Sequence, residues 1–147
     1  MQLVSKKLSD THKLAEKIAA DILKSGPHKK HARVVAMVGD LGAGKTAFAQ
    51  GFAKALGIKR HLPSPTFVIF RSYPLKVIGY KFLYHVDAYR LSDAGELDVL
   101  DFDKVLVNPK NIILIEWADK IKEILPKDSI WLEFAHGKNE GERLIDY

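Results

Sequence analysis

The sequence predicts an α/β domain, a three-layer sandwich whose central, largely parallel (mixed) sheet is flanked by helices. Three observations carry that prediction. Two short apolar runs, Val34 to Val38 and Ile112 to Ile115, lack polar alternation and read as strands buried on both faces, the habit of parallel strands covered by helices. The first run passes through a glycine-rich turn directly into an amphipathic helix, giving strand, loop, helix in succession. Two further strands, at 67 to 73 and 80 to 86, flank a turn around Pro74 to Gly79 and read as a hairpin. A chain of 147 residues argues for one compact domain spanning 1–147.

Taken in order, Leu14, Ile18, Ala19 and Ile22 fall at helical spacing within Leu8 to Lys24, with Ser9 or Thr11 as cap and Ser25, Gly26 and Pro27 as the stop. The strand 34 to 38 follows and is bounded by Gly39. Phe48, Phe52, Ala55 and Leu56 recur at intervals of three and four, and Gly57 ends that helix. Residues 62 to 66 hold two prolines, which remove backbone donors and force extended geometry on their predecessors, so this is an exposed loop. After the hairpin, Asp93 to Leu106 is a poorer helix containing Gly95, ended by Asn108, Pro109 and Lys110. The strand 112 to 115 runs into Glu116 and Trp117. A short helix to Leu125, a break at Pro126 and a strand over 130 to 134 complete the domain.

Composition narrows the function. Hydrophobic residues at 47%, aromatic at 10% and charged at 28% are ordinary for a globular chain. The first residues lack the apolar core of a secretory signal, and no apolar run approaches the ~18 residues of a membrane span, so the expected location is the cytoplasm, without membrane partners. The absence of cysteine excludes disulfides and thiolate metal sites, leaving His, Asp and Glu as strong ligands and a hard, oxygen-bound metal as the expectation. A net charge of +5 favours phosphates and nucleic acids without identifying either. The local clusters Lys29, Lys30, Arg33 and Lys59, Arg60 read as solvated surface.

The chemistry concentrates in Gly39, Asp40, Leu41, Gly42, Ala43, Gly44, Lys45 and Thr46, which fit GxxxxGK[ST] between a buried strand and an amphipathic helix. Glycines let the backbone wrap around phosphate oxygens, while successive N–H groups and the positive helix end cradle their charge. Lys45 reaches the β and γ phosphates, and the Thr46 hydroxyl is placed to ligate Mg²⁺. A nucleotide with Mg²⁺ is thus the expected ligand of a P-loop NTPase-like domain. Two acids end strands on the side where ligands gather in open α/β sheets. Alternation puts Leu83, His85 and Asp87 on one face, so Asp87 projects beside the loop if its strand neighbours the first. Glu116 directly follows four buried aliphatic residues, where a carboxylate is expensive unless a cation or wet cleft receives it. It is expected on the metal side or orienting water, with Trp117 as a sensor or packing group.

The loop, Ser64 to Phe67, His85 to Leu91 and Ile115 to Ala118 together resemble the TsaE (YjeE) P-loop ATPases of bacterial tRNA threonylcarbamoyladenosine biosynthesis, in family order and spacing over nearly the whole chain. The resemblance implies a switch at Ser64 to Phe67 with Thr66 near the γ phosphate and magnesium. It implies the Walker B role for Asp87, the second acidic role for Glu116 and the adjacent tryptophan position for Trp117. Thr11 corresponds to a nucleotide contact near the first helix, and Arg143 to a basic residue in the last strand. Lys45, Asp87 and Glu116 would be the catalytic groups, and Thr46, Asp87 and Glu116 the metal ligands. The chain departs from the pattern at Ala47, still within the nucleotide loop, where a second threonine is common. It departs also at Ala88, where leucine is usual, and in a longer basic connector from His28 to Arg33.

The implied function is ATP hydrolysis, slow alone and stimulated by partners, that binds and resets a TsaD and TsaB complex forming threonylcarbamoyladenosine at position 37 of tRNA. Contact with tRNA would be indirect or weak. A small-molecule or nucleoside kinase shares the loop and acids, but no lid-like arginine cluster appears. A nonhydrolytic, ATP-dependent assembly module is the other alternative. A GTPase lacks support, since no Asn-Lys-x-Asp segment is present.

Overall fold

Side-chain alternation along the apolar runs builds the layers. Val35 and Met37 are buried on one side of the sheet and Val34 and Ala36 on the other, as are Ile112 and Leu114 against Ile113 and Ile115. The structure, a computed structural model, describes residues 1–63, 65 and 69–147. Its elements are β1 (Gln2–Ser5), α1 (Leu8–Ser25), β2 (Arg33–Gly39), α2 (Lys45–Ala55), β3 (Phe70–Pro74), β4 (Phe82–Asp87), α3 (Phe102–Leu106), β5 (Asn111–Glu116), β6 (Ile130–His136) and β7 (Arg143–Asp146). Two 3₁₀ segments, Ala94–Leu100 and Ala118–Ile124, lie between them.

The seven strands form one mixed sheet in the order β1-β7-β6-β2-β5-β4-β3. β6, β2, β5 and β4 are mutually parallel, with the antiparallel β3–β4 hairpin at one edge and antiparallel β7 and β1 at the other. α1 and α2 cover the Val35 and Met37 face, where Phe48 stacks with Phe52 at 5.9 Å and meets Phe134 edge-on at 5.8 Å. The 3₁₀ segments and α3 cover the opposite face through Leu97, Phe102, Leu106 and Ile121. Among the described residues, no helix is long and apolar enough to cross a membrane.

Four details differ from the expectations. The cap of α1 is Lys7, because the Asp10 carboxylate accepts the Lys6 and Lys7 N–H groups at 3.0 and 3.2 Å, leaving Ser9 and Thr11 inside the helix. The expected helix over 93 to 106 is split, since Asp101 takes left-handed angles (φ 54°, ψ 34°) between the 3₁₀ segment and α3. The hairpin is present, but its first strand begins at Phe70 because Ile69 leaves extended geometry at φ 63°; residues 67 and 68 lie outside the described residues. The last predicted strand continues to His136 and is followed by β7, which pairs with the unanticipated β1. Each of those four-residue strands has only one fully buried residue, Ser5 and Ile145, so neither shows a hydrophobic pattern.

Candidate nucleotide site

The glycine-rich loop leaves the carboxyl end of β2 and enters α2. Gly39 has φ 129°, and a Cβ there would fall 2.0 Å from the Phe134 carbonyl oxygen on the neighbouring strand, so only glycine lets β2 and β6 pair this far. Gly44 takes φ 108° at the start of α2, turning the chain so that the helix's first free N–H groups face the loop. Asp40, Leu41 and Gly42 are exposed and Ala43 is buried beneath them, while Ala47 is half-buried in the first turn of α2. The far edge of the sheet braces this loop. Arg143 on β7 donates from Nε to the Gly42 carbonyl at 3.1 Å, and His136 Nε2 lies 3.2 Å from the Leu41 carbonyl oxygen.

Lys45 is only 5% exposed. Its Nζ donates to the carbonyls of Gly39 and Asp40, the latter at 2.7 Å, and sits 4.2 Å from the centre of the Trp117 ring. Burial holds the ammonium below the usual lysine range, while the carboxylates of Glu116, Asp40, Asp119 and Asp87 act the other way. Trp117 is itself in left-handed geometry (φ 59°, ψ 43°), a conformation of order 1 kcal/mol or more above the right-handed one. That turn at the end of β5 accompanies a ring lying between Lys45 and Tyr89, whose centroid is 4.9 Å away.

The acids sit where the parallel strands end, in an order that corrects one premise. β4 does not neighbour β2, because β5 lies between them, so Glu116 rather than Asp87 is on the strand beside the loop's own. Thr46 Oγ1 donates to Glu116 Oε1 at 3.3 Å, and Glu116 Oε2 lies 2.9 Å from His85 Nε2. Glu116 and His85 are both buried. The carboxylate accepts from His85 Nε2, while Nδ1 is buried without a hydrogen-bond partner among the described residues. Asp87 pairs in register with Glu116, is 8% exposed, and accepts the Tyr89 N–H at 2.9 Å through Oδ1. One threonine hydroxyl and two carboxylates are hard oxygen donors of the kind Mg²⁺ takes, so Thr46, Glu116 and Asp87 fit the expected metal.

Sequence reasoning placed His85 on the Asp87 face without giving it a role; the contact with Glu116 needs the β4–β5 register, which no local pattern carries. His136 lay beyond the predicted end of its strand and had no signal. Thr11 is buried in α1, where its hydroxyl shares a 2.8 Å hydrogen bond with Ser5 Oγ. Thr66, with Ser64 and Phe67 of the expected switch, lies outside the described residues.

A strand-loop-helix phosphate cradle at the end of a mostly parallel sheet, with an acid on the next strand reaching its threonine, defines the class as a P-loop NTPase-like domain. Comparison with known proteins narrows it further. The family model for "Threonylcarbamoyl adenosine biosynthesis protein TsaE" matches residues 5–145, and the chain belongs to that family. The tRNA threonylcarbamoyladenosine biosynthesis protein TsaE of Bacillus subtilis is 40% identical over 118 residues, covering 80% of this chain and 70% of that protein. The Haemophilus influenzae protein of the same name is 36% identical over 118 residues, covering 80% and 71%. The crystal structure of Bacillus subtilis YdiB superposes with a TM-score of 0.74 at 31% identity, covering 99% of this chain and 82% of that one.

Proposed function

We infer that the protein is a Mg²⁺-dependent cytoplasmic ATP hydrolase that supports formation of threonylcarbamoyladenosine at position 37 of tRNA by binding and resetting a TsaD and TsaB complex. The observation that carries the hydrolytic part is the Thr46–Glu116–His85 chain of contacts beside the buried Lys45. When bound, Mg²⁺ supplies charge neutralisation at the β and γ phosphates. The protein's own groups do the rest. Lys45 exchanges the Gly39 and Asp40 carbonyls for phosphate oxygens, a swap of acceptors that leaves its charge satisfied throughout. Glu116, oriented by His85, holds the Thr46 hydroxyl and presents a fixed negative charge to the metal side. Asp87 flanks it, and Thr66 is assigned to sensing the γ phosphate. Water attacks the γ phosphorus, the bond to the β–γ bridging oxygen breaks, and ADP and hydrogen phosphate leave, the water's second proton passing to solvent.

Family membership supports a place in tRNA threonylcarbamoyladenosine synthesis, and the identity of the partners is part of the proposal. The group transfer belongs to TsaD and TsaB, and hydrolysis here returns their complex to its starting state. The test is reconstitution with TsaD, TsaB, tRNA and preformed threonylcarbamoyl adenylate. Wild type is expected to sustain many turnovers and to hydrolyse ATP faster with the partners, whereas Lys45→Ala supports neither. Modification that proceeds over many turnovers equally well without this protein overturns the reading.

A further inference from the structure

A second cluster lies at the other end of the sheet, about 20 Å of strand away from the phosphate loop. The connector from His28 to Arg33 enters β2, and the turn at Pro126 to Ser129 enters β6. Because β2 and β6 are parallel neighbours, with Val35 opposite Ile130, their entry segments meet. Each is held by its own hydrogen bonds. Arg33 closes the connector by donating from Nε and Nη2 to the Gly26 carbonyl at 3.1 and 2.9 Å, and Ala32 N–H donates to Leu106 O at 2.8 Å. Across from it, the Ser129 N–H and hydroxyl both donate to Pro126 O, fixing the turn that carries Asp128.

The result brings His28, His31 and Asp128 together, with one ligand atom from each all within 4.8 Å of one another. His31 Nε2 is 3.2 Å from Asp128 Oδ1, and His28 Nε2 is 3.8 Å from Oδ2. A tetrahedral ion held at about 2.1 Å by each donor needs donors about 3.4 Å apart, which the His31 pair approaches, while the His28 nitrogen must draw in as the ion binds. The two imidazoles stack at 3.7 Å with planes 20° apart, so ligation of one ion through both Nε2 atoms, whose lone pairs lie in the ring planes, requires one ring to turn as the ion binds. His31 Nδ1 lies 2.9 Å from the Ala32 carbonyl and must donate to it. Its other nitrogen, Nε2, is thereby left facing Asp128 Oδ1, the position from which it would share an ion with that carboxylate. The carbonyl that fixes the tautomer is the usual partner of a metal-bound histidine. Lys30 N–H currently donates to His28 Nδ1 at 3.1 Å; ligation through Nε2 moves the ring proton to Nδ1 and releases that N–H to water on an exposed residue.

We propose that His28, His31 and Asp128 form a binding site for a divalent transition metal of the zinc class, separate from the nucleotide magnesium. Two imidazoles and one carboxylate select Zn²⁺ over Mg²⁺, which takes oxygen ligands almost alone. The three side chains line, together with Leu97, Phe102 and Leu106, a cavity of about 690 Å³, which leaves room for a fourth ligand. Asp98 and Asp103 line the same cavity and add negative charge against the positive charge of Lys127.

The test is calorimetric titration of the full-length protein with Zn²⁺ alone. One Zn²⁺ per chain is expected, with affinity falling at least about tenfold in each of His28→Ala, His31→Ala and Asp128→Asn, since losing even an outer-shell partner has that effect at metal sites. Glu116→Gln is expected to retain the binding, which separates this site from the nucleotide site. In the wild type, Zn²⁺ should shift the imidazole resonances of His28 and His31, a readout that needs no variant to fold. No stoichiometric Zn²⁺ binding, affinity unchanged in all three variants, or loss of binding in Glu116→Gln overturns the proposal.

Discussion

Glu116→Gln separates catalysis from folding at the site, because the amide keeps the shape of the carboxylate and removes only its charge. In the wild type that carboxylate accepts from Thr46 at 3.3 Å and from His85 at 2.9 Å. Glutamine can keep both contacts, its oxygen toward His85 and its NH₂ toward the Thr46 hydroxyl, which then accepts. Each charge-assisted bond, net about 1.5–3 kcal/mol, becomes a neutral one of about 0.5–1.5 kcal/mol, so the two together lose about 2–3 kcal/mol. Relief of burying a charge offsets part of it. A domain of this size loses about 3 °C of Tm per kcal/mol, so thermal unfolding should move by no more than about 9 °C. Hydrolysis carries the larger penalty, since removing one preorganised electrostatic group from a reacting centre costs about 10²–10³-fold. Binding should move in the opposite sense: without Mg²⁺, loss of a carboxylate beside the triphosphate leaves ATP affinity equal to or tighter than wild type. Single-turnover phosphate release at saturating Mg²⁺, calorimetry with and without Mg²⁺, and a thermal melt measure the three quantities. Hydrolysis within tenfold of wild type, or a loss of Mg²⁺-free ATP affinity, refutes the role given to Glu116.

Lys45→Met is expected to lower ATP affinity about 100-fold by calorimetry, the equivalent of one charged contact. Because burial lowers the Lys45 pKa from 10.5, wild-type ATP affinity should decline as pH rises toward 10.5, from a pH below that of ordinary lysine, and the variant should show no such decline. The same lowered pKa destabilises the folded state while Lys45 is charged, so wild-type stability relative to the variant should rise between neutral pH and about pH 10; denaturant unfolding at both reads the sign. Gly39→Ala places a Cβ 2.0 Å from Phe134 O in a left-handed backbone, and strain plus overpacking of about 3 kcal/mol should lower Tm by about 10 °C.

Much of the architecture is legible along the chain because it is written in local periodicity. Val34 to Val38 and Ile112 to Ile115 have apolar side chains on both faces, which only a sheet covered on both sides can bury, and α1 and α2 show their apolar spacing within one segment. The phosphate loop is equally local: its glycines, lysine and threonine lie within eight consecutive residues and need no distant partner to be recognised. Where local preference and packing compete, the pattern misleads. The 93 to 106 segment has helical spacing, yet the Asp93 carboxylate accepts the Gly95 N–H at 2.8 Å and Asp101 turns left-handed, so the chain follows the sheet face in short pieces.

What the sequence by itself determined is the α/β layering, the glycine-rich turn between strand and helix and the two acids at strand ends, each set by residue type and spacing within a few turns or strand lengths. Only the tertiary structure decided which acid reaches the loop, because strand order and register are properties of pairs of segments: β5 lies between β2 and β4, so Glu116 meets Thr46 and His85 while Asp87 flanks them. The same holds for the bracing of Gly42 by Arg143, 101 residues away, for the pairing of β1 with β7, and for the meeting of His28 and His31 with Asp128. These contacts join short, individually patternless segments, and their positions follow from burying the central strands rather than from any preference of their own.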